Sequence, residues 1–172
     1  MPVIRFIDRN LEKTIILISY LAMAGIIFVE VIRRYVFKEQ AAWSTTIPVY
    51  LFLWVTWFGA AYNVRARSHL RFSEFRQKMP YNLQFATLCL DFILWAAFGA
   101  IVIAFTTEQV QLQHMNFAIV PGTTNVMQWW FYLATPVAWA LLIFRAAQNL
   151  WEDWKTYRSR EPFDLAMSVV SE

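Results

Sequence analysis

The sequence predicts an all-α integral membrane protein with four transmembrane helices, and three observations carry that prediction. The first is length: four apolar runs, residues 14–32, 47–64, 83–105 and 129–150, take up most of the 172 residues. A spanning helix rises about 1.5 Å per residue and must cover roughly 30 Å of hydrocarbon, so it needs about 20 apolar residues. The second is cleanness: no formal charge falls between Ala41 and Val64, whereas a soluble helix must show water one polar face. The third is composition, at 59% hydrophobic and 16% charged residues, far from the balance of a soluble domain. Four spans leave room for short connections only, so residues 1–172 read as a single four-helix membrane domain.

The first run begins after Arg5, Arg9 and Lys13 and ends before Arg33 and Arg34. Ala22-Met23-Ala24 resembles a signal cleavage site but lies inside the run, so an uncleaved helix is expected. Trp43 opens the second run, Trp129 and Trp130 open the fourth, and Trp151 and Trp154 close it. Amphipathic indoles favour the headgroup level. Trp54, Trp57, Trp95 and Trp139 lie deeper, as packing or lipid-facing bulk. Pro136 sits inside the fourth run, where its missing N–H and its ring are expected to kink the helix. Cys89 is the only cysteine, which excludes an internal disulfide and a cysteine metal cluster.

The basic residues set the orientation. Twelve of the 15 Lys and Arg residues fall in the N-terminal tail, the second connection (Arg65, Arg67, Arg71, Arg76, Lys78) and the C-terminal side (Arg145, Lys155, Arg158, Arg160). Positive residues stay inside, so both termini are expected to be cytoplasmic. The net charge of +3 needs only anionic headgroups as a partner, not nucleic acid. Trp43, Arg65, Arg67, His69, Arg71, Arg76, Trp129 and Trp130 are therefore the residues expected at lipid or interface contacts. In residues 65–80, Phe72, Phe75 and Met79 follow an i, i+3, i+7 pattern. This suits a short helix on the inner membrane surface; a solvated basic turn fits equally.

The third connection is of another kind. Residues 106–128 hold one acid, Glu108, no Lys or Arg, and a Pro121-Gly122 break. Residues 106–115 suit a helical continuation beyond the membrane. His114, Asn116, Pro121 and Gly122 are the candidates for a partner contact on the outer side, with a plain spacer as the competing reading.

Charges at membrane depth are functional candidates by default, since each costs roughly 2.5–3.5 kcal/mol at a helix centre. Glu30 and Arg34 are spaced i, i+4 and form a candidate intrahelical pair. Asp91 lies about 12 Å into the third span and Arg145 about 9 Å into the fourth, at helical rise. An interhelical Asp91–Arg145 ion pair is thus expected. In its rival, Arg145 snorkels to headgroups and Asp91 faces a partner. His69 and His114 both lie in connections, not within a span, which argues against a haem anchor. There is no phosphate loop, metal-ligand spacing or nucleophile–base set. The expectation is a non-enzyme with no catalytic, cofactor or metal residues.

Around the second run the residues resemble a known family. Arg34-Tyr35-Val36-Phe37 ends the first helix and Trp43 opens the second. Trp57-Phe58-Gly59-Ala60-Ala61-Tyr62-Asn63-Val64-Arg65 leads to His69, then Met79-Pro80 precedes the third. Trp129, Tyr132 and Pro136-Val137 mark the fourth. In order and spacing this is similar to the small membrane subunit (DctQ-like) of tripartite ATP-independent periplasmic (TRAP) transporters. The chain departs from that pattern at Ser44-Thr45-Thr46, where the family commonly has acids, and at Met127, where it often has proline.

The resemblance implies a scaffold subunit in a bacterial inner membrane. Its partners would be a large polytopic transport subunit and a periplasmic substrate-binding protein. The system would import organic acids on a sodium gradient, with sodium coupling in the large subunit and no cofactor in this one. Gly25, Gly59 and Gly99, with nearby alanines, suit close helix packing within the subunit or against its partner. The alternative is an autonomous small proton-coupled transporter using Glu30 or Asp91 as its coupling carboxylate.

Overall fold

The computed structural model describes residues 2–67, 76 and 78–163, with side chains from Asn10 onward. Helix α1 spans Pro2–Ile32, with proline at the first position, where its missing N–H costs nothing. A single π-helical turn, Arg33–Phe37, follows and is closed by Lys38 in the left-handed region. Helix α2 spans Trp43–Arg65 and α3 spans Tyr81–Met115. The fourth span is made of α4, Trp129–Tyr132, and α5, Ala134–Ser159. All four spans are long and apolar enough to cross a membrane.

Each end has a local cause. Pro80 is extended and starts α3, its carbonyl accepting from the Leu83 and Gln84 amides at 2.9 and 3.0 Å. The Gln84 side-chain amide reaches back to the Met79 carbonyl at 2.9 Å. At 35 residues, α3 is about 52 Å long, well beyond the hydrocarbon thickness. Residues 106–115 therefore do continue the helix past the membrane, up to a left-handed Phe117. The fourth span is interrupted at Leu133, between α4 and α5, three residues before Pro136. Proline leaves the carbonyl four residues earlier, that of Tyr132, without its helical donor.

The helices do not close into a bundle. They pack in a row, in the order α1, α2, α5, α3, and α1 does not run along α3. Trp139 on α5 is the hub. Its ring meets Trp57 of α2 at 5.7 Å, and Trp95 and Phe98 of α3 at 5.9 and 5.3 Å. Ala61, Val64, Leu142 and Ala146 complete the buried seam.

The helix surfaces that the open row leaves uncovered are apolar. Leu17, Ile18, Leu21 and Phe28 on α1, and Leu90, Ile93, Leu94, Phe98 and Ile101 on α3, are exposed. Of the tryptophans expected as packing or lipid-facing bulk, Trp57, Trp95 and Trp139 pack in the seam, and Trp54 stacks on Phe58 of its own helix.

Of the three glycines expected to permit close approach, Gly99 does so within the chain. A Cβ there would lie 2.7 Å from Ile143 Cδ1 and 3.0 Å from Trp139 Cε3. Gly25 and Gly59 have nothing within 4 Å of that position, so they face outward and leave shallow grooves in the row. Gly99→Leu should wedge α3 off α5 and cost about 1–3 kcal/mol, as overpacked cores do. Thermal unfolding in mild detergent should register the loss. Adding Ile143→Ala, which empties the space the new side chain would need, should recover much of it.

The segment expected as an interfacial helix, residues 65–80, lies for the most part outside the described residues, and His69 and Arg71 with it. Where the chain returns, the start of α3 is fastened to the end of α5. Tyr81 stacks on Tyr157 and Phe163, and Phe85 stacks on Tyr157 at 4.3 Å. The Tyr81 hydroxyl donates to the Thr156 and Glu161 carbonyls at 3.2 and 3.0 Å.

Candidate functional site

The charges of the spans gather at one end of the row, where α1 and α3 begin and α2 and α5 end. Glu12 of α1 is fully buried. Its Oε1 accepts from Arg145 Nε at 2.6 Å and its Oε2 from Arg65 Nη1 at 3.0 Å. One carboxylate thereby ties three helices, α1, α2 and α5. Arg145, only 2% exposed, also donates from Nη1 to Gln148 Oε1 at 2.8 Å.

Beside this cluster Arg67 donates to Asp153 Oδ1 at 2.6 Å, to Glu152 Oε2 at 3.3 Å and to the Asn149 carbonyl at 3.1 Å. Asn149 Nδ2 in turn donates to the Val64 carbonyl at 2.8 Å, which caps the end of α2. Arg76 Nη2 and Asp91 Oδ2 form a further pair at 2.5 Å. The bonds made by the arginines are charge-assisted, so each outweighs a neutral bond in the same place.

This arrangement corrects several expectations. The Asp91–Arg145 pair does not form: Asp91 takes Arg76, and Arg145 takes Glu12. Helical rise placed both at similar depth, but depth says nothing of the direction in which each side chain leaves its helix. Arg145 points toward α1 and α2, away from α3. Arg65, Arg67 and Arg76, expected at lipid or interface contacts, also pair with carboxylates of this chain.

The Glu30–Arg34 pair is also absent. Glu30 Oε1 instead accepts from the Ala41 backbone N–H at 3.3 Å. The π turn that follows Ile32 widens the helix there and spoils the i, i+4 register. Glu30 and Arg34 still line one groove of about 420 Å³, with Tyr35, Ser44, Thr45 and Pro48.

Between the two ends lies a band without formal charge. Glu30 stands about 25 Å beyond Lys13 along α1, and Glu108 about 25 Å beyond Asp91 along α3. The band matches a bilayer's hydrocarbon core, and the ionic layer marks one of its edges.

At the other end, residues 116–128 form a folded cap. The Val120 N–H donates to the Val126 carbonyl at 2.8 Å, and the Gln128 N–H to the Ala118 carbonyl at 2.9 Å. Gly122 has φ +83°, and a Cβ on it would meet Trp43 N at 2.5 Å and the Ala42 carbonyl carbon at 2.6 Å. The cap thus rests backbone-on-backbone against the start of α2, which only glycine permits. His114 lies edge-on to Trp129 at 5.4 Å, and Trp129 stacks on Trp130 at 4.2 Å. Asn116 closes α3 through its N–H to the Leu112 carbonyl at 3.0 Å. His114, Asn116, Pro121 and Gly122 therefore belong to one structure at this end of the row, joined by Trp43 of α2. Met115 and Phe117 project from it, 76% and 70% exposed.

Sequence reasoning passed over Glu12 because it sits beside Lys13 in what reads as a charged tail. The available signal was its position: an acid at the mouth of an apolar run, level with two arginines at the mouths of others.

Comparison with known proteins decides the family. The family described as "Tripartite ATP-independent periplasmic transporters, DctQ component" matches residues 23–156. The chain belongs to that family. It is 20% identical to the sialic acid TRAP transporter small permease protein SiaQ of Vibrio cholerae, over 87% of this chain and 85% of that one. To the C4-dicarboxylate TRAP transporter small permease protein DctQ of the same species it is 24% identical, over 83% and 71%. It is 22% identical to the isethionate TRAP transporter permease protein DctMQ of Oleidesulfovibrio alaskensis, over 86% of this chain but only 24% of that longer one. This DctQ-family chain is thus a TRAP transporter component and a multi-pass inner-membrane protein, and its relatives are transporter subunits, not enzymes.

Proposed function

We propose that this chain is the small scaffold subunit of a sodium-driven TRAP importer of organic acids. It would hold the stationary part of a large polytopic transport subunit in the bilayer, while a periplasmic binding protein delivers substrate from outside. The observation that carries this reading is the open row itself. Four helices in a row whose uncovered surfaces are apolar make a poor solitary unit but a good extension of a neighbour's surface. The uncharged band of about 25 Å supports the same view, because an ion pathway would need polar groups at that depth.

The fused permease of Oleidesulfovibrio alaskensis, of which the matching portion is only 24%, supports a large subunit as the partner here. The excess of Lys and Arg at the ionic end supports cytoplasmic termini, with the cap of residues 116–128 outside. Sodium coupling and substrate choice would then lie in the other subunits, and this chain would need no cofactor. The rival, a small autonomous carrier with Asp91 or Glu30 as coupling carboxylate, is weakened because Arg76 already compensates Asp91 and Glu30 lies at the outer edge.

In this reading the cap of residues 116–128 would meet the binding protein. Scrambling residues 116–121 and 123–128, with Gly122 kept, should leave the large subunit bound while lowering uptake toward that of vesicles given no binding protein. Normal uptake by the scrambled variant would remove the cap from the delivery step.

A further inference from the structure

Two cavities at the ionic end share a wall. One, of about 590 Å³, is polar and lies along α5, lined by Arg65, Arg67, Gln148, Glu152 and Lys155 among others. The second, of about 330 Å³, is apolar and lies between α3 and α5, lined by Phe85, Cys89, Phe92, Leu150 and Trp154. Ala147 and Trp151 line both. Lys155 holds its ammonium 5.6 Å from the centre of the Trp151 ring, at the junction, and makes no ion pair among the described residues. The apolar cavity runs from Phe85 toward Phe92, about 10 Å in the direction of the hydrocarbon band.

We propose that this double cavity is a binding site for one anionic phospholipid of the inner leaflet. The phosphodiester lies against Lys155 and the guanidinium edges of Arg65 and Arg67, and one acyl chain fills the groove between α3 and α5 past Cys89. Position and chemistry select this occupant. Trp151 and Lys155 stand about 9 and 15 Å beyond Arg145 along α5, on the polar side of the band's edge, and the Lys155 ammonium reaches back over the Trp151 ring, toward the headgroup level. A free phosphate would use only the polar half, and an apolar protein segment only the other. A molecule charged at one end and apolar at the other uses both. The assignment rests on the membrane placement of the row and not on what the transporter carries.

The test uses the purified complex in mild detergent, stripped of lipid and then given phosphatidylglycerol or phosphatidylcholine. Cys89 is the chain's single cysteine, so its modification by a bulky maleimide can be read on its own peptide by mass spectrometry. Phosphatidylglycerol should slow that modification and phosphatidylcholine should not, and native mass spectrometry should count one retained anionic lipid on this subunit. Lys155→Gln, an exposed change, should weaken protection about fivefold, the worth of one lysine near an anionic surface. Ala147→Trp, which plugs the junction at an exposed position, should abolish it. Equal protection by both lipids, no protection by either, or a Lys155→Gln variant protected like the parent would each overturn the assignment.

Discussion

Alanine at position 12 is expected to destabilise this small subunit more than any other single change on α1. Glu12 is fully buried and shared between Arg65 and Arg145. Arg145 is itself buried, so losing the carboxylate leaves a guanidinium with too little compensation away from water. Removing one partner of a buried pair costs about 3–5 kcal/mol. Thermal unfolding in mild detergent should show the loss, and recovery of assembled complex from membranes should fall with it.

A comparison separates a broken pair from a damaged helix. Glu30→Gln, which alters only a 3.3 Å bond to the Ala41 amide, should cost about 1 kcal/mol or less. Glu12→Leu combined with Arg145→Met removes both buried charges and should recover most of the stability lost by Glu12→Ala, because apolar replacements of buried pairs are often neutral. A double variant no better than the single one would mean that Glu12 acts through something other than charge compensation.

Valine at position 122 should have the second-largest effect, and a local one. Gly122 combines φ +83° with backbone atoms of Ala42 and Trp43 at 2.5–2.6 Å from any Cβ. Left-handed backbone costs a non-glycine residue roughly 1–2 kcal/mol, and backbone atoms cannot rotate away as a side-chain tip can. The cap should lift from α2 while the helices stay packed. Hydrogen exchange should report it: the Val120 and Gln128 amides, both bonded within the cap, should lose protection, and the amides of α2 and α5 should keep theirs. If the cap receives the binding protein, uptake should fall in the same variant.

Much of the fold was legible because hydropathy reads the bilayer. The expected run of residues 47–64 lies inside Trp43–Arg65, and 83–105 inside Tyr81–Met115. What hydropathy marks is the lipid band, not the helix, so α1 begins 12 residues before its apolar run and α3 continues ten past its own. The continuation of α3 was still readable, from a polar stretch with no breaker before Pro121.

The ion pairs were not readable. Sequence gives the depth of Asp91, Arg145, Glu12 and Arg65 through the rise per residue, but partners depend on how each helix is rotated. They also depend on neighbour order, and the α1, α2, α5, α3 row differs from chain order. Glu30 and Arg34 failed for a narrower reason, a π turn that no residue between Arg33 and Phe37 announces. Gly99 and Gly59 look alike in sequence, yet only Gly99 faces a helix of its own chain.

The proposed role requires this row of helices to lie against a larger membrane protein. Affinity purification of the tagged full-length chain from its native membrane, in mild detergent, tests it most directly, with partners identified by mass spectrometry and mass measured by light scattering. The account predicts one much larger polytopic protein recovered in stoichiometric amount, with no transport by this chain alone in proteoliposomes. Recovery of the chain only with copies of itself, moving a solute unaided, would contradict it.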